Sequence, residues 1–278
     1  MGTALITGAT SGIGLEIAWE LAAEKNDLVL VARNKERLEK IAEEMRQIAD
    51  VRVEVLSADL STMEGALAVA ERVANDERPV GLLVNNAGFG LGQDFVGGSL
   101  NRELQGLNTM VRAVLITCHA AADAMTRRGY GGILNVASMT ALTAQGTYSA
   151  HKAWVRTFTE GLAARLEGTG VTVTAVCPGL VHTEFHERAA INTRKLPSWV
   201  WVDADTCVAQ ALADSDKGKV ISLPTWKWKA AGFALQHQSD RRAAQAPQPA
   251  DDLAQRRIAQ REAGQRVVLS WPVLCRLR

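Results

Sequence analysis

Seven short apolar runs, separated by longer segments of helical periodicity, constrain this chain more than any other feature. The runs are Ala4–Ile6, Leu28–Ala32, Val51–Leu56, Leu82–Val84, Ile133–Val136, Val171–Val176 and Val220–Leu223. Between them, Gly14–Lys25, Asn34–Ile48, Glu64–Asn75 and Ala153–Gly168 place apolar residues three and four apart, the repeat of a helix with one buried face. Strands that are apolar throughout are covered on both faces, and alternation with helices makes the sheet parallel. The expected fold is α/β, a single doubly wound domain over residues 1–239 with a seven-stranded parallel sheet and helices on both faces. Right-handed crossovers put its ligand crevice at the carboxyl ends of the strands, so the chemistry belongs on the loops that follow them.

Past Leu223 the pattern dissolves. Pro247-Gln248-Pro249 lies in an Ala/Gln/Arg-rich stretch, and Val267–Leu277 is apolar without a period. Residues 240–278 read as a loosely ordered tail, with an added helix packing on a partner as the competing reading. The tail also explains the net charge of +1: it holds eight Arg and four acids, leaving residues 1–239 with 23 basic against 26 acidic groups. A folded body of that balance shows no basic stripe, so no nucleic-acid partner is expected.

Cys118, Cys177, Cys207 and Cys275 form no CxxC pair, which argues against a zinc ribbon or dithiol motif and for reduced, buried thiols. The first strand begins almost at Met1, and no apolar run approaches the roughly 18 residues of a spanning helix. The expectation is a cytoplasmic protein without integral membrane association. Trp226-Lys227-Trp228-Lys229 and Phe233 could touch a membrane surface or complete the core near the last strand, and the second reading is preferred.

The first strand leads through Gly8-Ala9-Thr10-Ser11-Gly12-Ile13-Gly14 directly into a helix. Glycines allow a tight turn and close backbone approach, and the helix start offers free N–H donors with a partial positive charge, a natural seat for a pyrophosphate. The glycine spacing resembles the TGxxxGxG loop of the short-chain dehydrogenase/reductase family. At the end of the second strand, where NAD-binding folds place an acid for the ribose 2′-hydroxyl, this chain reads Ala32-Arg33-Asn34. The guanidinium of Arg33 suits a 2′-phosphate, so NADP(H) is the expected cofactor; a solvated Arg opening the next helix is the alternative.

Further segments carry the resemblance. Asp59-Leu60 is similar to the family's adenine-contacting pair, and Asn85-Asn86-Ala87-Gly88 reproduces its NNAG segment. Tyr148 and Lys152 stand four apart, on one face of a helix. A nearby cation favours phenolate over phenol, drawing tyrosine below its usual value near 10 and toward proton transfer at neutral pH. A YxxxK alone is weak; the order of glycine loop, NNAG, Asn108, Ser138, Tyr148 and Lys152 gives it meaning.

The resemblance, over about residues 3–225, implies a Rossmann fold and hydride transfer between NADP(H) and a carbonyl or alcohol, nearest to the ketoacyl-reductase and hydroxysteroid-dehydrogenase branches. It implies Tyr148 as general acid/base, Lys152 lowering its pKa and holding the nicotinamide ribose, Ser138 orienting the substrate oxygen and Asn108 holding water near Lys152. It also implies cofactor contacts by Asn86, Ala87 and Gly88, and by Pro178, Gly179, Val181 and Thr183 of the PG segment. Pairing through the helices of Asn108 and Tyr148 implies a homodimer or homotetramer.

Ser138 and Tyr148 are ten positions apart where the family usually has about thirteen, so Met139–Thr147 is short by about one helical turn. Either the loop takes a tighter path or Ser138 is displaced; the second outcome would suit a catalytically impaired dinucleotide sensor or scaffold. The segment 184–202 should form a substrate lid, and its Phe185, Leu196, Trp199, Val200 and Trp201 suggest an apolar substrate or merely packing onto the body. His182 and His186 have ligand spacing but no third partner, so no metal is expected.

Overall fold

Strand β1 (Thr3–Thr7) lies inside the sheet with a strand on either side, which is why Ala4 to Thr7 are all buried. In the computed structural model the described residues are 2–184, 197, 200–225 and 227–228. From β1 the chain passes through α1 (Gly12–Ala23) to β2 (Asp27–Ala32), and through α2 (Lys35–Ala49) to β3 (Val53–Ser57) at one edge. After α3 (Met63–Ala74) it crosses back to β4 (Leu82–Asn85) on the other side of β1. The rest follows outward: α4 (Leu100–Leu107), a π-helical turn at Asn108–Arg112, α5 (Ala113–Arg128), β5 (Gly131–Val136), a 3₁₀ turn at Met139–Leu142, α6 (Gly146–Arg165) and β6 (Val171–Val176).

A short pair, β7 (Leu180–Val181) with β8 (Trp201–Val202), stands apart from the main sheet. Helix α7 (Ala204–Asp216) then leads to the last strand, β9 (Ile221–Ser222). The seven-stranded sheet runs β3-β2-β1-β4-β5-β6-β9 with every pairing parallel, the expected doubly wound fold. Its strand order reverses between β1 and β4, so the crevice opens at their carboxyl ends.

The continuous apolar runs are explained by the two cores they serve. Ala4, Ile6, Leu28 and Leu30 face a cluster with Ile17, Leu21, Leu38, Met45 and Leu212, whereas Leu5, Val29 and Val31 face one with Val69, Val73, Val114 and Met125. Successive side chains of one strand thus feed opposite layers, and each must be apolar.

Three boundaries moved. Helix α2 starts at Lys35 because the Asn34 side chain accepts from the Arg37 amide, and β3 starts two residues later than Val51. Helix α6 extends back to Gly146, so Tyr148 and Lys152 both lie on it, ahead of the Ala153 start read from apolar spacing. Chain contacts divide Met1–Gln236 from His237–Arg278, and the expected tail at 240–278 lies outside the described residues. Among the described residues no helix is long and apolar enough to cross a membrane.

Candidate active site

The loop after β1 is shaped by one side chain from the end of β4. Asn86 Nδ2 donates to the Thr7 carbonyl at 2.9 Å and lies 3.3 Å from that of Gly8, while the amides of Asn86 and Ala87 both donate to Thr7 Oγ1. This stitching leaves no space for side chains. A Cβ at Gly14 would stand 2.2 Å from Asn86 Nδ2 and 2.6 Å from the Gly8 carbonyl oxygen; one at Gly8 would meet Ala87 Cα at 3.0 Å, on a backbone with φ +69°. Gly8, Thr10, Ser11, Gly12, Ile13 and Gly14 therefore form a cradle at the start of α1, whose first amides have no partner within the helix. The donor set and the missing side chains fit a pyrophosphate.

Thr183, from far along the chain, comes to the same cradle: a Cβ at Gly12 would lie 3.5 Å from its Cβ. Arg33 stands exposed at the end of β2, beside the Asn34 cap. Asp59 turns one carboxylate oxygen onto the amide and hydroxyl of Ser61, at 2.9 and 2.8 Å, and Leu60 is buried in the core. All three lie on loops at the carboxyl ends of β2 and β3, the side on which β1 opens into the cradle.

Ser138 follows β5, and its hydroxyl serves two partners: it accepts from the Thr140 amide at 3.1 Å and is hydrogen-bonded to the Tyr148 phenol. The tighter path is the one taken. The 3₁₀ turn at Met139–Leu142 and the early start of α6 absorb the missing residues, and Met139 N–H donates to the Pro178 carbonyl at 2.9 Å, tying the turn to the PG segment. Lys152 is almost fully buried; its Nζ donates to the Val136 carbonyl at 2.7 Å and lies 5.8 Å from the centre of the Tyr148 ring. Gly88 borders this ammonium, since a Cβ there would approach Nζ to 3.4 Å.

The electrostatics differ from the expectation in one respect. Burial pushes the Tyr148 phenol above its ordinary range, and only the bond to Ser138 opposes this. Burial also pushes Lys152 down to about 8, against the opposing pull of Cys177. The protein's own groups therefore do not bring the phenol below its ordinary range: the Lys152 ammonium is bonded to the Val136 carbonyl, and desolvation of the hydroxyl dominates.

Asn108 opens the π turn, where its carbonyl accepts the Ala113 amide five residues on. A π turn inside a helix re-aims the groups at its start, a device frequent at functional sites. Val181 is buried in the β7–β8 pair, and the His182 ring stacks on Trp201 at 4.6 Å. Gly179 receives the Trp228 indole so closely that a Cβ would lie 2.0 Å from Cε2; Trp228 also packs near Met139 and Val181, on the core side of the alternatives considered for it. Phe185, His186, Leu196, Trp199 and Trp226 fall outside the described residues.

The family model described as short chain dehydrogenase matches residues 2–193. The chain belongs to the short-chain dehydrogenase family. A short-chain dehydrogenase of Sphingobium yanoikuyae, solved in complex with NADPH, superposes with a TM-score of 0.79 at 32% identity, covering 90% of this chain and 98% of that one. The bulky-bulky ketone specific alcohol dehydrogenase of Comamonas testosteroni gives 0.75 at 28% identity, over 90% and 96%. Galactitol 2-dehydrogenase (L-tagatose-forming) of Cereibacter sphaeroides is 33% identical over 202 residues, 71% of this chain and 78% of its own.

Some of what builds this short-chain dehydrogenase site was not readable as a motif. Asn85 donates to Asn135 Oδ1 at 2.9 Å and accepts from Thr117, while Asn135 donates to Thr159, so a buried polar chain crosses β4 and β5 from α5 to α6. Four polar side chains inside an apolar core satisfy one another. Asn135 interrupts the apolar run of β5, which was the one available signal for it.

Proposed function

We propose that this short-chain dehydrogenase reversibly reduces a ketone or aldehyde with NADPH, Tyr148 moving the proton. The observation that carries the reading is the gathering of Ser138, Tyr148 and Lys152 beside the PG segment, despite the short connection. Gly8, Thr10, Ser11, Gly12, Ile13 and Gly14 would hold the pyrophosphate, Arg33 the 2′-phosphate, and Asp59 and Leu60 the adenine side. Asn86, Ala87 and Gly88, with Pro178, Gly179, Val181 and Thr183, would border the nicotinamide end. NADPH, when bound, supplies the hydride.

Tyr148 gives its phenol proton to the substrate oxygen, and Ser138 orients that oxygen by a hydrogen bond. A raised phenol pKa keeps the proton in place until it is called for. Lys152 stabilises the phenolate left behind and, with Asn108 at the π turn, lies on the route by which a proton returns. The bound NADPH of the Sphingobium relative supports the cofactor, and the ketone specificity of the Comamonas one supports the reaction class. An apolar substrate is supported by Trp228 against Gly179 and by the apolar residues of segment 184–202. The contact of Ser138 with the Tyr148 phenol supports an enzyme over a merely dinucleotide-sensing protein.

Leu104, Leu107 and Leu115 are exposed along α4 and α5, which flank Asn108, and support pairing of two or four copies through these helices and α6, which carries Tyr148; sedimentation as a monomer alone would overturn that. Three buried thiols, Cys118, Cys177 and Cys207, suit a cytoplasmic place of work. The test of the reaction is Tyr148→Phe against a panel of apolar ketones. Turnover should fall by about a hundredfold to ten-thousandfold with NADPH affinity kept. Equal turnover by the variant would sink the assignment.

A further inference from the structure

The first turn of α6 carries Tyr148. It begins at Gly146 with φ +79°, and Gln145 offers no side-chain cap. The bonds near Ser149, to the Gln145 amide at 3.2 Å and with Thr143 Oγ1 at 3.4 Å, stay within the segment. Thr147 reaches farther. Thr147 Oγ1 donates to Glu103 Oε2 at 2.7 Å, a partner 44 residues earlier in the first turn of α4. The other carboxylate oxygen accepts from Gln93 Nε2 at 2.8 Å, and Gln93 is in turn bonded to both backbone groups of Ser99, the residue before α4. These hydrogen bonds hold the Glu103 carboxyl below the usual carboxylate range.

A second pair continues the same seam. One turn beyond Thr147, the buried His151 faces α4 so closely that a Cβ at Gly106 would lie 3.5 Å from its Cε1. Helix α4 runs directly into the π turn that starts at Asn108. Lys152 is held independently, through Val136 on β5.

We infer that Glu103, held by Gln93 and bonded to Thr147, is a positioning residue that sets the Tyr148 phenol against Ser138 and Lys152. The inference rests on Tyr148 being the proton-transfer residue. Its chemistry is simple: the loop that would otherwise guide the start of α6 is about one turn short, and a side-chain clasp from α4 supplies the constraint instead. Loss of the clasp lets Tyr148 move while Lys152 stays. The chemical step should suffer and cofactor binding should not.

The test compares Thr147→Val, Thr147→Ser, Glu103→Ala and the Thr147→Val/Glu103→Ala pair. Thr147→Val should lower kcat by about tenfold to a hundredfold, the effect of roughly an ångström of misplacement, with KM for NADPH unchanged. Thr147→Ser, which keeps the hydroxyl, should restore kcat. The double variant should be no worse than either single one, because the two side chains act as one unit.

A readout independent of turnover is available because the chain has only two tyrosines, and Tyr130 is exposed. In a Tyr130→Phe background, tyrosinate absorbance reports Tyr148 alone; Thr147→Val should bring it in at lower pH than in the parent, as the hydroxyl meets water. Unchanged kcat and an unchanged tyrosinate curve in a folded Thr147→Val protein overturn the inference, as do additive losses in the double variant. Should Thr147→Val not fold, Glu103→Gln, which removes the charge and keeps the shape, must show a smaller loss in the same direction, and no loss overturns the inference. Failure of the proposed reaction looks different: the parent itself then lacks Tyr148-dependent turnover, while the tyrosinate curves still report the clasp.

Discussion

The cradle for the dinucleotide and the corner holding Tyr148 are built on different principles. The cradle rests on steric necessity: a side chain at the end of β4 reaches across to the loop after β1, and Gly8 and Gly14 are there because Asn86 and the backbone beside it leave no space for a Cβ. The Tyr148 corner rests on contacts from distant parts of the chain. Thr147 is held from α4, Met139 from the PG segment, and Gly179 by the Trp228 indole. The first kind of site tolerates almost no substitution, because backbone atoms and a held side chain bound it. The second tolerates a shortened loop, because its geometry comes from several independent supports.

That contrast can be broken most severely at the cradle. Gly14→Ala places a methyl group 2.6 Å from the Gly8 carbonyl oxygen, a backbone atom that cannot swing away. Overpacking of this kind costs about 1–3 kcal/mol. A lowered melting temperature and at least a tenfold loss of NADPH affinity, by roughly 1.4 kcal/mol per factor of ten, are expected by calorimetry and fluorescence titration. A Gly14→Ala protein that binds NADPH normally would show that the loop is not a rigid cradle.

A smaller effect separates cofactor choice from catalysis. Arg33 is exposed, so Arg33→Glu should leave the fold alone and weaken NADP(H) relative to NAD(H) by about tenfold to a hundredfold, the worth of a charge-assisted bond near 1.5–3 kcal/mol. An unchanged preference between the two dinucleotides places the phosphate elsewhere. The mildest probe sharpens the Tyr148 corner. With Lys152 lowered to about 8, its ammonium is present below that pH and lost above it. The rate of carbonyl reduction should therefore fall as pH rises through about 8, and Lys152→Arg, which stays charged, should move that limb to higher pH. A flat profile to about pH 10 would remove Lys152 from the proton route.

Much of this was legible in the residues. The seven runs, their order and the glycine spacing follow from local rules: a strand covered on both faces must be apolar throughout, and a backbone turned onto a neighbour must lack Cβ. The short connection between Ser138 and Tyr148 was legible too, but its consequence was not. Counting residues shows that a turn is missing; it does not show that α6 begins early or that Ser138 still bonds the phenol. The expectation that Lys152 would lower the phenol's pKa failed for a related reason. Spacing places the two groups on one face, yet the balance between charge and desolvation depends on depth, and on the Val136 carbonyl that occupies the ammonium.

By itself, then, the order of residues determined the doubly wound sheet, the membership of the short-chain dehydrogenase family and the places where chemistry could sit, because apolar periodicity and glycine spacing are each written over a few residues. The tertiary structure alone decided how those places meet: that Thr183 stands by Gly12, that Asn135 completes a buried polar chain, and that Glu103 reaches Thr147. Such contacts join residues tens of positions apart, and their geometry is set only when the packed layers bring the helices together.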